Sequence, residues 1–312
     1  MENQAHRVLV ALFAATLLLA IVEETDAQTK PGTSTKTLTL GIVFQGPPGP
    51  LEEHFRPLVE YVARKITPTA ETKGLVVVAP TRAQMIKFLG EKRVDFYMES
   101  PYPTYLINRL GAARLLLRRW KGGMAEYRSV LFAGKKSGIA RLDDLRGKMI
   151  AFEDPGSTSG YFLPKLFLLK KGFSVVEKPT ADAKVASREI GYIFAATDKK
   201  ILSLVVEEKV AAGAFSNDDY ASLEDNVKSS ISIIGESESV PRHLVSVRKD
   251  LPEPIRLRLK DILLSMHRDV EGQNILKATD NTTKFDTLPG GEETMRRKLV
   301  ELYRPRGTRS AS

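Results

Sequence analysis

The stretch from Asp154 to Tyr161 reads Asp-Pro-Gly-Ser-Thr-Ser-Gly-Tyr and contains three hydroxyl side chains and two glycines. Hydroxyl groups and the free backbone N–H groups of a helix N-terminus donate hydrogen bonds, and the helix dipole favours negative charge at that end. Such a loop can hold a small oxyanion. Serine and threonine are also the preferred caps of an ordinary helix, so these residues alone leave a simple helix cap open as the alternative.

The residues around this loop predict the strand and helix that would position it. Residues 148–152 form an apolar run typical of a buried strand, and residues 161–169 begin an apolar helix. Strands and helices alternate elsewhere too, which predicts an α/β fold with a largely parallel sheet and a mainly helical end. The further predicted strands are 38–44, 75–79, 94–98, 126–133, 190–194, 210–215 and 229–234, and the further helices are 51–66, 81–89 (capped by Thr81), 101–110, 198–208, 253–267 and 292–303.

The amino-terminal residues predict export from the cytoplasm. Residues 8–22 are apolar and Thr25-Asp26-Ala27 has small residues where a signal peptidase would cut, so we interpret residues 1–27 as a cleaved signal peptide and residues 28–36 as a flexible leader. The apolar run is shorter than the roughly 18 residues of a spanning helix, although an uncleaved anchor remains an alternative. Without cysteine the chain has neither a lipoprotein anchor nor disulfides, and we expect a soluble periplasmic protein.

The charge of the chain favours an anionic ligand. The formal net charge is +9, and because residues 1–27 carry one basic and four acidic residues, their removal raises it to +12. The lysines and arginines are spread along the whole chain, and no recognisable nucleic-acid-binding module accompanies them, so we do not expect a nucleic-acid partner.

The sequence offers little for catalysis or for metal binding. None of the four histidines has metal-ligand spacing with another, and the absence of cysteine rules out thiolate ligands. The hydroxyl-rich loop also lacks the flanking glycines of a nucleophile elbow and a base to activate it. We therefore expect no catalytic residue, no metal and no cofactor.

At this point the chain resembles the PhnD-like family, the periplasmic proteins that bind phosphate, phosphite or phosphonates for ABC importers. Six pieces carry the resemblance, in the family's order and across nearly all of the mature chain. The hydroxyl-rich loop is the specific one, and the others are weak individually. They are residues 38–42, 94–102, 144–148, 154–161, 212–214 and 237–243.

The resemblance implies a two-lobed fold of the type II periplasmic-binding-protein or Venus flytrap class, with a mixed, mainly parallel sheet in each lobe. Lobe one would combine residues 37–127 with 236–312, and lobe two would comprise residues 128–235. The hinge would lie near residues 127–130 and 230–234. A ligand between the lobes would draw them together.

The resemblance also implies which residues bind the oxyanion. Ser157, Thr158 and Ser159 would hold it with their hydroxyls, and Gly160 and Tyr161 with backbone N–H groups. Lobe one would add Ser100 and Tyr102. Where many relatives have other residues, this chain has Glu99, Ser100, Ser216 and Asn217, and Ser100 and Tyr102 could still donate hydrogen bonds despite this departure. Glu99 would have to accept a ligand proton or meet a cationic substituent, or else point away and cap the next helix; Asn217 and Asp218 could likewise be helix caps.

These features predict a monomeric solute-binding protein that delivers a small oxyanion to the membrane permease of an ABC importer. One alternative is a periplasmic sensor subunit that presents its closed form to a membrane histidine kinase. A small-molecule enzyme on the same scaffold is the other. The fold alone separates none of these functions.

Overall fold

The computed structural model describes residues 36–66 and 72–303. The predicted signal peptide and residues 28–35 of the predicted leader lie outside this part of the chain. Within it, no helix combines the length and the apolar character needed to cross a membrane.

The described residues form strands and helices in alternation. The strands are β1 (Lys36–Val43), β2 (Thr72–Ala79), β3 (Phe96–Glu99), β4 (Ala113–Lys121), β5 (Glu126–Tyr127), β6 (Ser129–Gly134), β7 (Met149–Phe152), β8 (Ser174–Glu177), β9 (Glu189–Phe194), β10 (Ala212–Ser216), β11 (Ile231–Glu236), β12 (Val240–Pro241), β13 (His243–Arg248) and β14 (Thr282–Asp286). The helices are α1 (Gly49–Ile66), α2 (Arg82–Gly90), α3 (Pro101–Asn108), α4 (Leu163–Lys170), α5 (Asp198–Val206), α6 (Asn217–Ser222), α7 (Asp225–Ser230), α8 (Glu253–Ser265), α9 (Val270–Ala278) and α10 (Gly291–Tyr303). Short 3-10 turns occupy Leu142–Leu145 and Met266–Arg268, and a π-helical turn occupies Thr158–Phe162.

Two six-stranded sheets organise the chain, in the orders β14-β4-β13-β3-β1-β2 and β11-β6-β10-β7-β9-β8. Both are mixed, as predicted. The second sheet is mainly parallel, because β7, β8, β9 and β10 run the same way. In the first sheet β1, β2, β3 and β4 run the same way, and β13 and β14 run opposite to them, because β13 pairs antiparallel with both β3 and β4 and β14 pairs antiparallel with β4. β13 follows the second sheet in the chain and lies between β3 and β4 in the first sheet.

The chain passes between the sheets twice. β1 to β4 belong to the first sheet, β6 to β11 to the second, and β13 and β14 again to the first. The two crossing segments pair as β5 and β12, with Val240 opposite Tyr127. Ile231–Glu236 is a strand of the second sheet, and the second crossing segment pairs at Val240–Pro241. The hinge near residues 127–130 and 230–234 stays a prediction. The exact limits of the two lobes stay a prediction.

Each sheet buries its apolar residues against helices. α1 packs on the first sheet through Phe55, Leu58 and Val62, which recur at helical spacing and are buried. In the second lobe Leu168 of α4 is buried beside Ile150 and Ile190 of the sheet. This packing fixes the places where strands end and helices begin.

The site depends on those strand ends. β2, β3, β7, β9 and β10 are each followed within a few residues by a helical N-terminus, and hydroxyl side chains cap several of them. Thr81 caps α2 as predicted, accepting from the Gln84 N–H, and Thr197 caps α5. Ligands in open α/β sheets bind at such carboxyl ends of strands.

Candidate functional site

The hydroxyl-rich loop joins β7 to the π-helical turn that precedes α4. Its shape comes partly from its own side chains: Asp154 Oδ1 accepts from the Gly156 N–H at 2.6 Å, and Ser157 Oγ accepts from the Gly160 N–H at 2.9 Å. Ser157 is therefore the N-cap of the turn. The helix cap, which the sequence left as an alternative to an oxyanion site, is therefore present at Ser157. A further role of Ser157 in binding a ligand stays a prediction.

Thr158 connects the two lobes. Its side chain is 1% exposed, and its hydroxyl donates to Ser100 Oγ at 2.9 Å while accepting from the Tyr102 N–H at 3.0 Å. Ser100 is the N-cap of α3, and Tyr102 N is one of the free donors of that helix. The structure thus brings together three of the predicted residues, one from the second lobe and two from the first.

A tyrosine that the sequence did not single out lies beside the loop. Tyr127, on crossing strand β5, is buried, and its hydroxyl approaches the hydroxyls of Thr158 and Ser159. Burial raises the pKa of Tyr127 to about 12, with Arg242 and the two loop hydroxyls opposing the rise. Tyr127 therefore stays protonated and can act as a donor beside the loop.

Tyr161 and Phe162 are adjacent but reach opposite lobes. The Tyr161 hydroxyl accepts from Lys165 Nζ at 2.9 Å and its ring packs on Phe194 of the second lobe. The Phe162 ring stacks on Tyr102 of the first lobe, with centroids 4.3 Å apart, and lies 4.6 Å from Tyr303. Phe162 is therefore an aromatic contact between the lobes that the sequence did not predict, and the Tyr161 side chain lies in the second lobe.

Glu99 lies next to the contact between the lobes. It is partly buried at the end of β3, and its Oε2 accepts from the adjacent Ser100 N–H at 3.0 Å. Burial raises the pKa of Glu99 to about 7, although the Ser100 N–H and the charge of Arg82 pull it down. Near neutral pH this carboxyl is protonated in part, so it can donate a hydrogen bond as well as accept one.

Ser216 and Asn217 are engaged in local structure. Ser216 caps α6 and exchanges hydrogen bonds with Asp219, and Asn217 Oδ1 accepts from the Arg128 N–H at 2.9 Å. Asn217 and Asp218 are not the caps, because α6 begins at Asn217 and Ser216 precedes it. The structure places Asn217 against the first crossing segment, and it does not bring these two residues into hydrogen-bonding contact with the loop hydroxyls.

Arg82 is the cation that sequence reasoning missed. It is the first residue of α2 in the first lobe, yet its guanidinium lies against Gly156 in the loop of the second lobe. Its charge also acts on Glu99 and Tyr102. The sequence signal that could have identified Arg82 is its position shortly after the end of β2, a parallel strand. This end of β2 lies at the same edge of the sheet as Glu99 and Ser100.

Several carboxyl groups surround the loop on the second lobe. Burial raises the pKa of Glu153, and a hydrogen bond with Ser157 opposes this. Burial together with the charges of Glu153 and Asp219 raises the pKa of Asp198 to about 7. Uncharged carboxyls can donate to an oxyanion, and ionised ones attract a cationic substituent.

Within the described ranges, no group of three or more His, Cys, Asp or Glu side chains has the arrangement of a metal site.

The two sheets, the crossing strands and a site between helix N-termini define a type II periplasmic binding protein. Residues 40–288 match the family described as "ABC transporter, phosphonate, periplasmic substrate-binding protein", and the chain belongs to that family. The family consists of substrate-binding proteins and not of enzymes, which agrees with the sequence prediction.

Individual relatives agree with this assignment. The chain is similar to the phosphate-import protein PhnD of Mycolicibacterium smegmatis, with 25% identity over 197 residues that cover 60% of this chain but only 58% of that protein. Among solved structures, a Xanthomonas citri protein bound to ATP is 29% identical with a TM-score of 0.78 and covers 86% of this chain and 96% of its own. PhnD1 from Prochlorococcus marinus in complex with methylphosphonate shares the fold, at 16% identity and a TM-score of 0.62, covering 86% and 97% of the two chains.

Proposed function

We propose that this protein binds a phosphate-like oxyanion between its lobes and delivers it to the membrane permease of an ABC importer. One observation carries the proposal: the hydroxyl-rich loop of one lobe meets the N-terminus of α3 in the other at Thr158, Ser100 and Tyr102. Both lobes therefore direct O–H and N–H donors to the same place. An oxyanion that accepts from both sides stabilises the closed arrangement more than the open one.

The donors present are sufficient for useful affinity without a metal. Hydrogen bonds to a charged group contribute about 1.5–3 kcal/mol each. Four or five of them match the roughly 8 kcal/mol of a micromolar complex once ordering costs are subtracted. The candidates are the hydroxyls of Ser157, Thr158 and Ser159, the backbone N–H groups of Gly160 and Tyr161, and Ser100 and Tyr102 from the first lobe. Of these, the Thr158 hydroxyl and the N–H groups of Gly160 and Tyr102 donate to protein groups in the structure and would exchange those partners for the ligand.

The carboxyl groups near the loop bear on which oxyanion is bound. Glu99 and Asp198, each with a pKa of about 7, suit a ligand that accepts a proton or that carries an ammonium group, such as an aminoalkylphosphonate. Phosphate, phosphite and simple phosphonates engage only the oxyanion donors. The relative from Mycolicibacterium smegmatis is a phosphate-import protein.

A larger phosphate ester is a second candidate ligand. An apolar groove of about 440 Å³ runs beside the loop between the lobes, lined by Tyr102, Phe162 and Tyr303, with Arg109 and Lys165 at its side. Aromatic rings and cations are what a nucleotide contacts in proteins. The similar Xanthomonas citri protein was solved bound to ATP, which supports testing a nucleotide here.

A thermal-shift panel tests the proposal, because a ligand that binds only the folded state raises the unfolding temperature. The panel is phosphate, phosphite, methylphosphonate, aminoethylphosphonate, arsenate and ATP, with sulfate as the comparison. We expect at least one phosphorus oxyanion to raise the melting temperature further as its concentration increases, with a logarithmic dependence above its dissociation constant. If every member of the panel leaves the melting temperature unchanged, the proposal is wrong.

Family membership implies a small ligand, a permease partner and a periplasmic or extracellular location. We infer further that the protein acts as a periplasmic monomer released by cleavage after residue 27. Uptake of the identified ligand by cells with and without the protein tests the import role. Binding without any effect on uptake would favour the sensor role.

A further inference from the structure

Arg82 and Gly156 face each other across the two lobes. A methyl group at position 156 would lie 2.2 Å from Arg82 Nη1 and 3.3 Å from Arg82 Cζ. The first distance is too short for a real contact and the second is tight, so a side chain at position 156 would have to displace the guanidinium from this place. The close approach also shows that a residue of the first lobe reaches the backbone of the oxyanion loop.

The backbone of Gly156 does not itself require glycine. Its φ lies outside the left-handed region, in contrast to Gly147, Gly172 and other turn glycines of the chain. The three atoms nearest to the hypothetical methyl are Nη1 and Cζ of Arg82 and, at 3.0 Å, Asp154 Oδ1. The glycine is therefore needed for space, and the group that fills this space is a movable cationic side chain.

Arg82 has donors to spare at this position. Among residues 36–66 and 72–303, the ion pairs within 4.0 Å and the side-chain hydrogen bonds do not include its guanidinium. The charge of Arg82 nevertheless opposes the rise that burial causes in the pKa of Glu99 and of Tyr102, which adjoin the contact between the lobes. A guanidinium carries five donors in a planar fork that matches phosphate or phosphonate oxygens, and it remains charged at all relevant pH values.

We propose, on the basis of the function proposed above, that Arg82 recognises the second negative charge of the ligand. The loop hydroxyls and N–H groups can bind any tetrahedral oxyanion, since they carry no full charge. Arg82 adds the charge that separates a dianion, such as an alkylphosphonate or a phosphate monoester, from a monoanion of the same shape. Gly156 allows the guanidinium to reach the bound anion when the lobes close.

Calorimetric titration with methylphosphonate and methanesulfonate at one alkaline pH tests this assignment. The two probes have similar shapes, but the first is mainly dianionic and the second is a monoanion. We expect the native protein to prefer methylphosphonate, and Arg82→Gln to lower the affinity for it roughly ten- to a hundredfold. The affinity for methanesulfonate should decrease less, because a monoanion interacts about half as strongly with the same cation, so the preference itself decreases.

Two further variants separate the role of Arg82 from its surroundings. Gly156→Ala removes no charge but displaces the guanidinium, and it should reproduce the loss of preference with an almost unchanged melting temperature. Arg93→Gln removes the same charge just beyond the other end of α2, where Arg93 is exposed, and should leave both affinities unchanged.

The possible outcomes are distinct. If the native protein binds no phosphorus oxyanion, the proposed function fails before the role of Arg82 is reached. If it binds methylphosphonate and Arg82→Gln keeps the same preference over methanesulfonate, the assignment of Arg82 is wrong. A lower melting temperature of Arg82→Gln with unchanged preference would show that Arg82 only balances Asp154 and Glu99. An equal effect of Arg93→Gln would attribute the preference to the overall positive charge.

Discussion

Replacing Thr158 with valine removes the hydroxyl that joins the lobes while keeping the volume of the side chain. In the structure this hydroxyl donates to Ser100 Oγ and accepts from the Tyr102 N–H, and it is almost completely buried. Valine would leave Ser100 Oγ and the Tyr102 N–H without this partner at a part-buried contact. An unpaired buried group costs about 1–3 kcal/mol.

The cost falls on the closed form. When the lobes separate, Ser100 and Tyr102 N can bond to water, so the variant loses little in the open form. A loss of roughly 2 kcal/mol in closure lowers the apparent affinity about thirtyfold. The melting temperature of the unliganded variant should change much less than that of the liganded one.

Calorimetry with the best ligand of the panel measures this effect, and two variants serve as controls. Thr279→Val removes an equally buried hydroxyl that donates to Ile275 O within the first lobe, so it should lower stability but not affinity. Ser157→Ala removes the cap within the second lobe together with a proposed ligand donor, so it should cost about 0.5–2 kcal/mol of stability and lower affinity without removing the contact between the lobes. If Thr158→Val binds normally and melts several degrees earlier, the hydroxyl is a fold contact and the reasoning about closure is refuted.

Two further predictions concern the same region. Phe162→Leu should speed ligand release several-fold, because the ring of Phe162 packs on Tyr102 and Tyr303 across the lobes. Such aromatic pairs contribute about 0.5–1.5 kcal/mol each beyond their buried area. Stopped-flow measurement of ligand dissociation tests this, and an unchanged rate would contradict it. The pKa of Glu99 is about 7 in the folded protein, above its ordinary value of 4.5. As the pH rises, the unfolded chain therefore loses this proton before the folded protein does. The free energy of unfolding should decrease as the pH rises from about 4.5 to about 7. Over that pH range the melting temperature should decrease less for Glu99→Gln than for the native protein, because the amide does not titrate. If the melting temperatures of the two proteins fall equally with pH, the Glu99 carboxyl titrates normally despite the neighbouring Arg82, Arg119 and Asp154.

Local patterns predicted much of the fold. α1, α5, α8 and α10 follow from apolar residues at helical spacing, and the Thr81 cap follows from its position before α2. β4 was not predicted, although residues 113–121 contain the run Leu115-Leu116-Leu117, because arginines flank the run on both sides. β13 and β14 were missed within the part predicted to be mainly helical. Their stability comes from pairing with β4 and β3, which lie far away in the sequence.

One side of the candidate site was easier to predict than the other. The hydroxyl-rich loop is contiguous in sequence, whereas Ser100 and Tyr102 were predicted as donors at a place where the chain departs from the family pattern. Arg82 and Tyr127 are single residues of common types, and they matter because the lobes bring them to the loop. A sequence shows such contacts only when the relative positions of both lobes are known.

The π-helical turn at Thr158–Phe162 links the register of the loop to that of α4. Its wider winding accommodates a surplus residue, since the Phe162 N–H donates to the Ser157 carbonyl five positions back. Deleting one residue here would rotate every later side chain of the helix by roughly 100°. Leu168 would leave the core of its lobe and Phe162 would turn away from its neighbours. A change in the length of this loop therefore requires a matching change in the positions of the apolar residues along α4. A family member with a shorter turn would need its buried residues at other positions of the helix that follows.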